Sequence, residues 1–358
     1  MRTVSIARKV KNAMKARLNN ITIKTVAQHA GVSTATAARV LGNYGSVSEK
    51  TRKRVLECAQ EITYVPNAIA KSMRKQYTKT IGMIVGDIQT PFFGRLAFCV
   101  ENYATRQGWN LLICNTNDEP ERELMHLRSL FEHQVDGIIL SSTLREWSPV
   151  PEEFQLYYTA EKPIVQVDRY VRGISRPVVQ CNNEQGSYEA TKYLLELGHR
   201  QIGVIASQSI SSMRERLAGF RRALEEYGLE YREEMVRYCE ISHLREPGMN
   251  TTRELLEANP GITALYGLNQ PLYRSIWMEL QKLGIKVADD ISVIGWGDSE
   301  LADAWGITVV AQPIDQIAMR AASILFEMIH KTRGNSDTVE IIDTKFIRRN
   351  SCKKLAHD

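Results

Sequence analysis

Across residues 22–41, apolar positions recur at three- and four-residue intervals in two sets separated by a Gly-Val-Ser break. In the first set Ile23, Val26, Ala27 and Ala30 share one helical face behind a Thr22 cap. Gly31 ends that helix where a left-handed backbone is easiest. In the second set Ser33 caps a helix over 34–41, with Ala37, Val40 and Leu41 facing the first helix. Thr34, Ala35, Ala38 and Arg39 face outward, and Gly42 closes the helix. A third helix is predicted from a Ser48 cap through Val55, Leu56 and Ala59 to about Ile62. From residue 80 the pattern changes, and short apolar runs at 81–85, 110–114, 137–140, 164–167, 202–205, 264–266 and 291–294 alternate with helical periodicity. Repeated strand–helix–strand units predict parallel sheets covered by helices on both faces, with ligands bound beyond the carboxyl ends of the strands.

Charge divides the chain at the same place. Residues 1–79 hold 16 Lys and Arg against 3 Asp and Glu, whereas residues 80–358 hold 30 against 38. A segment this basic releases counterions wherever it docks on a phosphate backbone, and the acidic remainder is not expected to lie on DNA. Two helices joined by a tight Gly-Val-Ser turn have helix-turn-helix spacing, which places the second in a major groove. The blander alternative is a three-helix packing unit with a solvated basic face.

The six cysteines form no Cys-x-x-Cys pair, so neither a disulfide framework nor a zinc ribbon is indicated, and no metal or other cofactor is expected. No apolar run approaches the roughly 18 residues that cross a bilayer, and no secretory h-region follows the basic start. A cytoplasmic location without membrane attachment is expected. The chain also lacks a Gly-x-Ser-x-Gly elbow, a Walker loop and His-Glu-x-x-His, which argues against an enzyme. His199, in a helix-to-strand turn, suits capping better than catalysis.

The segments GVSTATAARVL and VSEKTRKRVLECAQEITYVPNAIAKSM resemble the DNA-binding head and hinge of the lactose-repressor (LacI/GalR) family of bacterial transcription regulators. The resemblance runs along nearly the whole chain from about residue 21. Its later landmarks are Thr90-Pro91-Phe92-Phe93, Cys114-Asn115-Thr116, 135–140, Leu197-Gly198-His199-Arg200, Arg216-Leu217-Ala218-Gly219-Phe220 and 290–295. It implies an all-α helix-turn-helix head joined to an α/β domain like the periplasmic sugar-binding proteins, with two doubly wound parallel-sheet subdomains. The corresponding boundaries are a basic extension at 1–20, the head at 21–64, a hinge at 65–79 and the effector and dimerisation domain at 80–358.

By that similarity Thr34 and Ala35 fall where base edges are read, with Arg39 near the far end of the helix and Thr22, Ser33 and Thr36 beside them on the DNA side. Thr34 has a hydroxyl and a methyl to offer and Ala35 only apolar contact, so direct readout is economical. The family commonly has Val-Ser where Ala37-Ala38 stand, which removes a hydroxyl for phosphate. Pro66 opens the hinge at a helix N1 position, and Asn67 and Met73 belong to its DNA contacts, Met73 as a minor-groove wedge where relatives have Leu. An inert linker is the alternative.

The same resemblance assigns Phe92 and Phe93 to the wall of an effector pocket, and Arg216 and Asn269 to polar groups of the ligand. Asp168 lines the cleft or caps its loop, and Asp298 joins the effector set. Trp296 and Trp305 flank the region as stacking or packing residues. Where relatives carry Gly-aromatic-Asp-Asp and Asn-Asp, this chain has Gly295-Trp296-Gly297-Asp298 and Asn269-Gln270. The first pattern is similar to the branch that senses gluconate-like acids, and two lost carboxylates ease the binding of an anion.

These readings describe a transcriptional regulator, a repressor, acting as a homodimer on a near-palindromic DNA operator and controlled by a small sugar or sugar acid. A free-standing carbohydrate-binding protein is the alternative, and a cleft enzyme the remotest one. The tail after Arg349 lacks leucine heptads, which favours a dimer over a tetramer. Residues 1–20 carry six Lys and Arg and no acid, with Ile6, Val10, Met14 and Leu18 at four-residue steps. They read as a basic DNA-binding arm or as sequence upstream of a true start at Met14.

Overall fold

The computed structural model describes residues 21–42, 44–62, 64, 77–144, 149–207, 210–239, 246–334 and 337–355. The predicted basic arm and the hinge residues Asn67 and Met73 lie outside the described residues. The chain divides into two compact units between Thr78 and Lys79.

The first unit contains three short helices: α1 (Ile23–His29), α2 (Thr34–Gly42) and α3 (Glu49–Glu61). Val26, Ala27, Ala30, Ala37, Val40, Val55 and Ala59 form their shared core. Each helix begins at the residue that the pattern designates. The Thr22 N–H donates to Thr25 Oγ1 at 3.2 Å, Ser33 Oγ accepts from the Thr36 N–H at 3.1 Å, and Ser48 Oγ accepts from the Thr51 N–H at 3.4 Å. Gly31 turns the chain at φ +58°. One outward assignment is corrected: Ala38 is buried, because α2 packs against α3 as well as α1.

The second unit is built on two six-stranded sheets. The first has the order β11-β5-β4-β3-β1-β2 and is parallel throughout: β1 (Thr80–Val85), β2 (Asn110–Asn115), β3 (Gly137–Leu140), β4 (Ile164–Val167), β5 (Val178–Cys181) and β11 (Val339–Ile342). The second has the order β12-β10-β9-β8-β6-β7: β6 (Ile202–Ser207), β7 (Val236–Cys239), β8 (Ala264–Gly267), β9 (Ser292–Trp296), β10 (Thr308–Ala311) and an antiparallel edge, β12 (Lys345–Ile347). Each sheet anchors one lobe, and the chain passes between lobes after β5, after β10 and after β11. All the predicted apolar runs are strands.

Helices α4 (Pro91–Arg106), α5 (Pro120–Glu132) and α6 (Glu152–Tyr158) belong to the first lobe. There Leu127, Leu130, Phe154 and Tyr158 pack with Ile84, Ile138 and Leu140. The second lobe carries α7 (Asn183–Glu196), α8 (Ser211–Glu226), α9 (Glu246–Ala258), α10 (Gln270–Leu283) and α11 (Glu300–Ala304). Its core joins Leu272, Tyr273 and Ile276 to Leu265, Val293 and Val309. Helix α12 (Ile314–Ile329) follows a second-lobe strand yet packs on α4 and the first sheet. No disulfide joins any of the six cysteines. Among the described residues, no helix is long and apolar enough to cross a membrane.

Candidate functional site

In the first unit, Thr22, Ser33, Thr34, Ala35 and Arg39 are exposed and Thr36 is half-buried. The hydroxyls of Ser33 and Thr36 lie 2.9 Å apart, so both are engaged in capping α2. Thr34 and Ala35 are left as the outward side chains of its first turn, with Arg39 one turn on.

In the second unit a cavity opens at the carboxyl ends of strands from both sheets, where doubly wound folds bind ligands. The first lobe contributes Asp87 and Thr90 after β1, Phe92 and Phe93 in the first turn of α4, Asp118 after β2, and Asp168 and Arg169 after β4. The second lobe contributes Ile210, Ser212, Met213 and Arg216 around the start of α8, and Asn269, Gln270 and Pro271 at the start of α10. Gln312 comes from the second crossover. Of the predicted effector residues, Phe92, Phe93, Asp168, Arg216 and Asn269 therefore share one cavity.

Pro91 at N1 starts α4 and sets the two phenylalanine rings edge to face, 5.1 Å apart. Arg216 is gripped on three sides. Its Nε donates to Asn183 Oδ1 at 2.9 Å, its Nη1 donates to the Leu268 carbonyl at 2.8 Å, and its guanidinium lies 4.2 Å over the Trp296 ring. The remaining Nη2 faces Asp168 Oδ1 of the other lobe at 3.7 Å. Burial lowers the Arg216 pKa, and it raises that of Asp168 despite the two arginines beside it. Asp168 takes φ +60° and receives Gln312 Nε2 at 3.4 Å, so it both turns its loop and lines the cleft. Asn269 spends Oδ1 on capping α10 through the Leu272 N–H at 2.9 Å, which leaves its Nδ2 donor for a ligand.

Asp298 goes elsewhere. Its carboxylate pairs with Arg349 at 2.9 Å and accepts the Ser299 N–H at 3.0 Å, while Gly297 at φ +93° turns the chain. Gln270, whose Nε2 donates to the Asp298 carbonyl at 2.6 Å, lines the cavity in its place. Neither tryptophan offers a stacking face: Trp296 lies under Arg216, and Trp305 stacks on Trp277 at 5.3 Å. His199 is buried, with Nδ1 2.9 Å from Thr263 Oγ1 and Nε2 3.1 Å from the Lys353 carbonyl. It is structural.

Sequence reasoning missed Asp87, Asp118 and Gln312, and it named Arg169 only as the neighbour of Asp168. Each lies just beyond a strand end, a signal that was present once the strands were placed.

A basic helix-turn-helix unit followed by a two-lobed domain with a polar cleft defines a ligand-controlled DNA-binding regulator. Residues 22–67 match the family of bacterial regulatory proteins named after LacI, and residues 78–350 match the periplasmic binding proteins and sugar binding domain of the LacI family. The HTH-type transcriptional repressor PurR of Vibrio campbellii is 34% identical over 343 residues, covering 93% of this chain and 99% of that protein. A complex of the transcriptional regulator CelR with cellobiose has a TM-score of 0.67 at 27% identity, covering 93% of this chain and 100% of that one. The lac repressor dimer bound to operator and the anti-inducer ONPF shares the fold, with a TM-score of 0.78 at 22% identity over 94% of this chain and 99% of that one. The chain belongs to the LacI family and is a DNA-binding transcriptional regulator, not an enzyme.

Proposed function

We propose that this regulator is a cytoplasmic homodimeric repressor whose grip on a two-fold operator is set by a small neutral polyhydroxylated effector, a sugar, held between the lobes. The charge inventory of the cavity carries the chemical part. Three carboxylates (Asp87, Asp118, Asp168) face two guanidiniums (Arg169, Arg216), and both guanidiniums already lie against carboxylates. An anionic ligand has to displace one of those carboxylates and then sit beside the others. A neutral diol donates to Asp168 while accepting from Arg216, with no charge repelled. This sets aside the sugar acid suggested by Gly297, because Asp87 and Asp118 offset the carboxylate missing there. The cellobiose-bound relative supports a carbohydrate.

On the DNA side, the exposure of Thr34, Ala35 and Arg39 supports a sparse readout by α2, with Thr22, Ser33 and Thr36 close to the backbone and Asn67 and Met73 acting through the hinge. One such head specifies few base pairs, so two related by a dyad are required, as in the lac repressor dimer on its operator. Asp168 and Arg216 come from different lobes, so a ligand that bridges them favours one relative setting of the lobes. A differential affinity of a few kcal/mol is enough to shift that equilibrium.

The test is calorimetry with a panel of neutral pentoses, hexoses and disaccharides, followed by gel-shift assays with the sugar that binds. Arg216→Lys, which loses the planar fork, should weaken the sugar about tenfold or more while ligand-free operator binding persists, a loss of about 1.4 kcal/mol. An unchanged sugar affinity relocates the pocket.

A further inference from the structure

We infer that Asp118 is the residue that fixes the charge class of the effector: it neutralises Arg169 and so keeps anions out of the cleft. This rests on the neutral-sugar reading above and names the side chain responsible for it.

The Asp118–Arg169 pair is built by the backbone around it. Asn117 and Asp118 both take left-handed conformations, at φ +52° and +60°, bending the loop after β2 back over the sheet. Thr116, fully buried, anchors that bend: its hydroxyl donates to the Val85 carbonyl at 3.1 Å and accepts the Asp118 N–H at 3.2 Å. The bend carries the Asp118 carboxylate over the end of β1, where residue 86 is glycine. A β-carbon there would collide with Asp118 and stand 3.1 Å from Arg169 Nη1. The missing side chain at Gly86 is therefore what makes room for the pair.

Arg169 Nη1 donates to Asp118, its Nε faces Asp168 Oδ2 at 3.7 Å, and its guanidinium lies 5.5 Å from the Phe93 ring centre. The side chains of Asp118 and Arg169 are only 10% and 11% exposed, so solvent screens the pair little. Nε is shut off from solvent and has no hydrogen-bond partner among the described residues, so Arg169 is held by Asp118 and by the Phe93 ring. With Asp118 ionised, a ligand carboxylate competes for a guanidinium that is already neutralised. With Asp118 uncharged, Arg169 becomes an open anion site beside Phe93.

The experiment uses the full-length dimer and two variants. Asp118→Asn keeps the size and the left-handed backbone, which Asn tolerates, and Asp118→Gly provides a second uncharged form if the first is poorly folded. Two probes are read by thermal shift and calorimetry: inorganic phosphate, and matched pairs of neutral sugars and their aldonic acids. The wild type should bind a neutral sugar at least tenfold more tightly than the matching acid and show no specific stabilisation by phosphate. Either variant should move the acid-to-sugar affinity ratio at least tenfold toward the acid and gain stabilisation by phosphate. Adding Arg169→Gln should abolish that gain. If wild type and both variants respond identically to phosphate and acids, or if the gain survives Arg169→Gln, the role of Asp118 is overturned. If no neutral sugar binds the wild type, the effector reading fails instead, and the phosphate measurement still decides on Asp118.

Discussion

Single side chains differ in how far their neighbours were foreseeable. Phe92, Phe93, Arg216 and Asn269 could be named from the sequence because each sits in a run of residues typical of the family, at a fixed offset from a strand or helix start. Asp118 could not, because its role depends on two successive left-handed residues and a glycine 32 positions earlier. The place of Asp298 was hidden for a similar reason: Arg349, far along the chain, pairs with its carboxylate. His199 shows what a buried titratable group costs. The Lys353 carbonyl only accepts, so Nε2 carries a proton, while Nδ1 lies 2.9 Å from a Thr263 hydroxyl that also reaches the Gln201 carbonyl at 3.5 Å. Burial holds its pKa below 6.5. The unfolded chain then binds the proton more readily, so the contribution of His199 is intact above 6.5 and is lost as pH falls below that value toward the folded pKa. Thermal melts of wild type and His199→Gln between pH 7.5 and 5.5 should diverge accordingly, the wild type losing more stability on the acid side. Parallel curves would mean that the ring is not held neutral.

Among the elements, those with continuous apolar runs or clear caps were readable, including the three head helices and seven strands. β7, β11 and β12 were not, because they are short edge strands with charged residues inside them, and the four-residue β10, though buried, was not singled out either. β5 was hidden by Gln180, a polar residue in a buried strand whose Nε2 reaches Glu215 of the other lobe at 3.2 Å. The packing of α7 on α8 was equally invisible, since it depends on a single missing side chain. A β-carbon at Gly219 would collide with the Glu184 carbonyl and stand 2.8 Å from the Tyr188 nitrogen, both backbone atoms that cannot rotate away. Gly219→Ala should therefore force the two helices apart, at a cost typical of overpacking, about 1–3 kcal/mol or more. Chemical denaturation would measure it, and a variant as stable as wild type would show that the helices separate freely.

For the whole molecule, the division into a basic reader and an acidic sensor was evident from charge alone, whereas the allotment of strands to two sheets was not, because only long-range pairing decides it. The concentration of charge in residues 1–79 predicts steep ionic-strength dependence. If six phosphates are neutralised, operator affinity should fall about 10³-fold between 50 and 200 mM salt. Fluorescence anisotropy at the two concentrations checks this, and a flat response would contradict a phosphate-dominated grip. The strand order has a consequence for biosynthesis. The first lobe opens with β1 at Thr80 but receives its sixth strand only at Val339–Ile342, and the second lobe is closed by Lys345–Ile347. Both halves thus receive their last strands within nine residues of each other, at 339–347. The sensor is therefore born late and all at once, after the DNA-reading helices have long since left the exit tunnel.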